Sequence, residues 1–190
     1  MHEHAVNGSK RYLDVPVGNS KTVTPTMDCT INPVVQYLQG DEPTCVFSSF
    51  ASGLFNLELF DEAKIVLGMG KLILGDPKTN PTKILETLIN KMYTSSDFKE
   101  LFKKYKLVRL KRSHDLFSHQ CCSKDIRLIV LSASDNSQNH AVTIIGQYIF
   151  DSNCDRALPF NKQGINCCCG TDSQFVSVAK GYLFSYNCKY

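Results

Sequence analysis

The sequence lacks any apolar run long enough to cross a bilayer. Its longest apolar stretches, such as "LIVLSA" at 128–133, fall far short of the ~20 residues that a spanning helix needs. The opening stretch, "MHEHAVNGSKRYLDV", has no apolar core of the signal-peptide kind. There is no Cys-x-x-Cys pair, the spacing by which zinc knuckles present their ligands, and no internal repeat or low-complexity tract. A strong charge of either sign is also missing. The net charge of +3 is too small to argue for a nucleic-acid partner. Together these absences point away from a membrane protein, a repeat array, a zinc-knuckle module and a nucleic-acid binder.

What remains has globular composition: 190 residues, 43% hydrophobic and 21% charged. That length suits one domain over 1–190 with a substantial core, and the polar residues 1–20 read as a flexible arm. The nine cysteines are odd in number and cluster as Cys121-Cys122 and Cys167-Cys168-Cys169. Adjacent cysteines pair poorly with each other, so a reducing intracellular compartment is expected. The densest basic run, "KKYKLVRLKR" (103–112), is broken by apolar residues in strand-like alternation and reads as a solvated strand edge.

Helical periodicity dominates the first half. From Cys45 to Leu57 the apolar positions Val46, Phe47, Phe50, Ala51, Leu54 and Phe55 recur at helical spacing, which predicts a buried helix. "DEAKIVLGMGKLIL" predicts a second helix, weakened by Gly68 and Gly70. A third begins at Asn80 as cap with Pro81 in its first turn, and a short fourth in "SSDFKELFKKY" is capped by Ser95 or Ser96. Upstream, "KTVTP" suggests an edge strand and "VVQYL" a short apolar element. Past residue 105 the period shortens. "KLVRL", "DIRLIVLSA", "HAVTIIG", "QYIFDSN", "QFVSVA" and "GYLFSY" read as short strands. Helices first and strands later predict an α+β fold, a helical part packed on an antiparallel sheet.

Two stretches carry chemistry. In "NHAVTIIGQYIFDSN" a tight turn at Gly146-Gln147 would set Ile145 opposite Tyr148 and His140 opposite Asn153, with Asp151 diagonal to His140 on the same face. An imidazole with an orienting partner on one ring nitrogen can act as a general base through the other. Alone, His140 reads as a half-buried histidine without chemistry and Asp151 as a turn residue. In "QGDEPTCVFSSFASGLF" (39–55), Cys45 opens the predicted buried helix, where unpaired N–H groups and the helix dipole favour a thiolate. The Cys45 N–H would point to where an oxyanion develops, and the side-chain amide of Gln39, six residues upstream, would supply a second donor. The plain alternative for Cys45 is a small hydrophobe at a helix start.

The Gln39…Cys45 spacing, the hydrophobic helix opened by Cys45, and His140 and Asp151 on a later hairpin resemble the papain-like cysteine peptidase superfamily. "GDEPTCVFSSFA" is also similar to the nucleophile segment of ovarian-tumour-type deubiquitinases, with one residue more between Asp41 and Cys45. The resemblance implies a papain-like fold in which a buried nucleophile helix packs on an antiparallel sheet. It assigns Cys45 as nucleophile, His140 as base and acid, and Asp151 as orienter, with Asn153 the alternative. Gln39 would line the oxyanion hole. It further implies a deubiquitinase or ubiquitin-like-protein isopeptidase, with ubiquitin or a relative as partner, no cofactor, and a monomer. A processing endopeptidase or acyltransferase of viral or mobile-element type is the second expectation. The third comes from another class: a binding module with a metal held by Cys121, Cys122, Cys167, Cys168, Cys169, His114 and His119. Among weaker signals, Ser48, Ser49 and Ser52 read as packing or back-bonding residues, and "GYLFSYNCKY" as a strand rather than a base-stacking surface.

Overall fold

The structure is a computed structural model that describes residues 44–73, 80–110, 122–133, 139–154, 156–168 and 175–187. "KTVTP", "VVQYL", Gln39 and Asp41 lie outside the described residues. Helix α1 runs Cys45–Asn56, α2 Phe60–Ile73 and α3 Pro81–Thr94. A 3₁₀ turn, Ser96–Phe98, leads into α4, Lys99–Lys104. Strands follow: β1 Tyr105–Leu110, β2 Ile126–Ala133, β3 Asn139–Ile145 and β4 Tyr148–Asp151. A short β5 (Leu158–Pro159) and helix α5 (Lys162–Cys167) precede the last strand, β6 (Phe175–Tyr186). The α+β architecture expected from the sequence is present: the N-terminal helices pack on a six-stranded antiparallel sheet ordered β1-β6-β2-β3-β4-β5.

Helix α1 is the inner member of the helical layer. Every residue from Cys45 to Leu54 is buried, as an apolar run without a polar face requires. Phe47, Phe50 and Leu54 are each almost wholly removed from water. Burial of side chains this size contributes about 1.5–3 kcal/mol apiece. Serines in this setting must find acceptors inside the helix: Ser52 Oγ donates to the Ser48 carbonyl at 2.8 Å, so back-bonding describes it correctly. Helix α3 starts as expected, with Asn80 Oδ1 accepting from the Thr82 N–H at 2.9 Å and Pro81 in the first turn. Of the two serines proposed as the next cap, Ser95 fills the role, accepting from the Asp97 N–H. Helix α2 runs through both of its glycines; Gly70 lies against the Phe47 ring.

The expectation of separate strands in "QFVSVA" and "GYLFSY" is corrected. They form one continuous strand, β6, with Gly181 inside it, paired to Leu110 on one side and Ile129 on the other. Flanked on both edges, this stretch is held extended by its neighbours, and the glycine does not break it. β6 also lies in the interior of the sheet, between β1 and β2. A further correction is α5, which interrupts the predicted all-strand second half. It is opened by Asn161, whose Oδ1 accepts from the Gly164 N–H at 2.8 Å. The basic run does include an edge strand, β1, with Lys106, Val108 and Arg109 exposed. Among the described residues no helix is long and apolar enough to cross a membrane.

Candidate active site

The β3–β4 hairpin has the register read from the sequence. Ile145 pairs with Tyr148 and Val142 with Asp151, and Gly146 carries the positive φ, 55°, that primed hairpin turns need. His140 therefore lies two residues before the partner of Asp151, on the diagonal. Its Nε2–H donates to Asp151 Oδ1 at 2.7 Å. The carboxylate is completely buried, and burial of an anion is tolerated only when donors surround it. Here the Asn153 backbone N–H donates to the same oxygen at 2.9 Å and the Cys154 thiol to Oδ2 at 3.6 Å. Of the two orienters considered, the one bonded to the His140 ring is Asp151. Asn153 is exposed, and its backbone N–H anchors Asp151.

Cys45 comes to the same place from the opposite side. It is the first residue of α1 and is 4% exposed. The Thr44 carbonyl accepts from the N–H groups of Phe47 and Ser48, both at 2.9 Å. The Cys45 N–H thus belongs to the first turn, where a helix offers no acceptor of its own. Its thiol lies near enough to the His140 ring to help raise the pKa of that ring. With Nε2 committed to Asp151, the ring nitrogen left for sulfur is Nδ1. Burial by itself would depress the His140 pKa. Hydrogen bonds to Asp151 and Cys45, reinforced by the charge of each, outweigh it and raise the pKa from 6.5 to about 9. At neutral pH the imidazole carries its proton.

Of the residues singled out from the sequence, Cys45, His140 and Asp151 converge. Gln39 lies outside the described residues. The metal-site alternative is divided: Cys121, Cys169, His114 and His119 lie outside the described residues. Among the described ones no group of three or more His, Cys, Asp or Glu side chains is arranged to hold a metal ion. Among the described residues, too, no cysteine is in a disulfide. Sequence reasoning missed Cys154 as a donor to Asp151; its position three residues after the carboxylate, in the turn leaving β4, was the available signal. A cavity of about 290 Å³ is lined by Asn80, Thr82, Ser132, Asn139, Ser177, Val178 and Ala179, and none of the three converging residues is in its lining. A larger open hollow, about 490 Å³, lies at the opposite end of α3 around Tyr93 and Phe102 and contains none of the converging residues.

Compared with known proteins, the chain matches no family model, no curated protein and no solved structure.

Proposed function

We propose that this protein is a cysteine peptidase with a papain-like arrangement of Cys45, His140 and Asp151, acting through a thioester acyl-enzyme. The observation that carries the reading is one imidazole bonded on Nε2 to a buried carboxylate, with the thiol that opens α1 near enough to help raise its pKa. A structural histidine needs neither a buried counter-charge nor a thiol. A nucleophile–base pair needs both.

The steps follow from those positions. The sulfur of Cys45 attacks the scissile carbonyl carbon, and the carbonyl π electrons move to oxygen. The resulting oxyanion develops beside the first-turn N–H of α1, where the helix dipole favours negative charge. His140, protonated at neutral pH, gives its proton to the departing amine nitrogen as the C–N bond breaks, leaving a thioester on Cys45. Water then attacks the thioester, its proton passing to His140. The S–C bond breaks, releasing the carboxylic acid and returning the sulfur as the anion beside the protonated His140, the state from which the cycle began. Asp151 holds the imidazole throughout. Gln39 would donate the second hydrogen bond to the oxyanion.

For substrate, we favour ubiquitin or a ubiquitin-like protein. The support is steric as well as by resemblance. A nucleophile that is 4% exposed is reached by an extended, narrow acyl donor, and a terminal glycine has no side chain to obstruct it. The test is a ubiquitin or ubiquitin-like protein carrying a C-terminal electrophile. Covalent labelling that disappears in Cys45→Ala is expected. Labelling of Cys45 by short peptide electrophiles alone would transfer the assignment to a processing endopeptidase. Labelling of neither kind would overturn the peptidase reading.

A further inference from the structure

The chain leaves β4 in a turn that folds back on the Asp151 side chain. The Cys154 N–H donates to the Asp151 carbonyl at 3.1 Å and closes the turn, and the Asn153 N–H donates to Asp151 Oδ1 at 2.9 Å. Oδ1 is also the oxygen that accepts from His140 Nε2–H, at 2.7 Å. The Cys154 thiol meets the other oxygen, Oδ2, at 3.6 Å, a distance that suits a sulfur donor. Donors at one oxygen leave the Cβ–Cγ torsion of an aspartate soft, because that torsion has no sharp minima of its own. A donor at the second oxygen stiffens it. Cys154 has a second neighbourhood as well: it is half-buried and packs against the apolar cluster that contains Ile149, Leu158 and Ile165.

We propose that Cys154 is a positioning residue of the active site: its thiol, donating to Asp151 Oδ2, holds the carboxylate in the plane from which it orients His140. The inference rests on the peptidase reading and adds a fourth side chain to it, one that acts through Asp151 and not on the substrate. Catalytic groups keep their geometry when hydrogen bonds from a surrounding shell lock their torsions, and Cys154 supplies such a bond to the orienter itself. The turn makes the role testable. Its closing bond is main-chain, so a changed side chain at 154 leaves the turn in place and alters what meets Oδ2 and the apolar cluster. Those two neighbours ask for different chemistry. Serine keeps a donor and gives up apolar bulk, whereas valine keeps the bulk and has no donor.

The experiment compares wild type with Cys154→Ser, Cys154→Val and Cys154→Ala, each checked for native circular dichroism. One readout is kcat and KM on ubiquitin carrying a C-terminal fluorogenic amide. The other is the rate at which iodoacetamide alkylates Cys45, followed by mass spectrometry of the Cys45 peptide. Alkylation needs no substrate, so it decides the case even where ubiquitin is not hydrolysed. In the valine and alanine variants kcat and the alkylation rate should fall roughly threefold to tenfold at unchanged KM, the scale of one net hydrogen bond. The serine variant should stay within about twofold of wild type, because the donor is retained. A serine variant no faster than the valine one, or three variants equal to wild type, overturns the positioning role and leaves the peptidase standing. If ubiquitin is not hydrolysed and His140→Gln leaves the alkylation of Cys45 unchanged, the peptidase reading fails and the positioning role fails with it.

Discussion

Gly53 of α1 lies so close to Thr143 of β3 that a Cβ on the glycine would sit 2.7 Å from the Thr143 methyl and 2.9 Å from Ile145 Cδ1. This contact sets the height of the helix above the sheet and with it the approach of Cys45 to His140. Both neighbours are buried, so neither can move aside cheaply. Gly53→Ala is therefore expected to cost about 1–3 kcal/mol in denaturant unfolding. It should also slow alkylation of Cys45 in the folded protein, by lifting α1 away from its partner. Unchanged stability and unchanged labelling would remove this contact from the account of the site.

Asp151 separates support from chemistry. Asp151→Asn keeps the size of the side chain but cannot serve His140 as an anion, and kcat should fall roughly 10²-fold or more with the fold intact. Asp151→Ala removes the acceptor of both His140 Nε2–H and the Asn153 N–H. Losing these bonds at a buried position costs about 1–3 kcal/mol, so this variant should also unfold at lower denaturant. Turnover of Asp151→Asn equal to wild type would exclude Asp151 from the mechanism.

The pH dependence follows from His140. Its folded-state pKa, about 9, lies above the ordinary 6.5 because hydrogen bonds to Asp151 and Cys45 outweigh burial. A raised pKa means that the folded state binds the proton more tightly. The stabilisation is complete below about pH 6.5 and is lost as pH rises through about 9. Between those limits wild type should lose more unfolding free energy than His140→Gln. Turnover should decline on an alkaline limb near 9, as the proton for the leaving amine is lost. Parallel stability profiles of the two proteins would contradict the assignment.

Gly164 tests the far side of the sheet. A Cβ there would fall 1.9 Å from the Pro159 carbonyl oxygen, a backbone atom that cannot rotate away. Gly164→Ala should push α5 off β5, with roughly 1–3 kcal/mol lost and faster amide exchange confined to 158–167. Exchange rates unchanged in that segment would count against the contact.

How much could be read beforehand depended on the range of the interactions involved. Asn80 and Pro81 start α3 through contacts within a few residues, and Gly146 supplies the φ that its turn demands. A two-residue loop also fixes the strands on either side. His140 and Asp151 could therefore be paired by counting, although they are eleven residues apart. β6 misled because Gly181 has the local signature of a break, and pairing partners on both edges override it. α5 was missed because its six residues bury only Gly164 and Ile165, too few for a helical period to emerge.

The sequence by itself determined the pieces: a helix apolar on every side with a thiol at its start, and a hairpin whose turn commits a histidine to an aspartate. Both are set by local torsion preferences and by the periods of helix and strand. Only the tertiary structure decided that the two pieces meet. That meeting depends on a glycine–threonine contact between distant segments and on a strand order that makes the last strand an inner one.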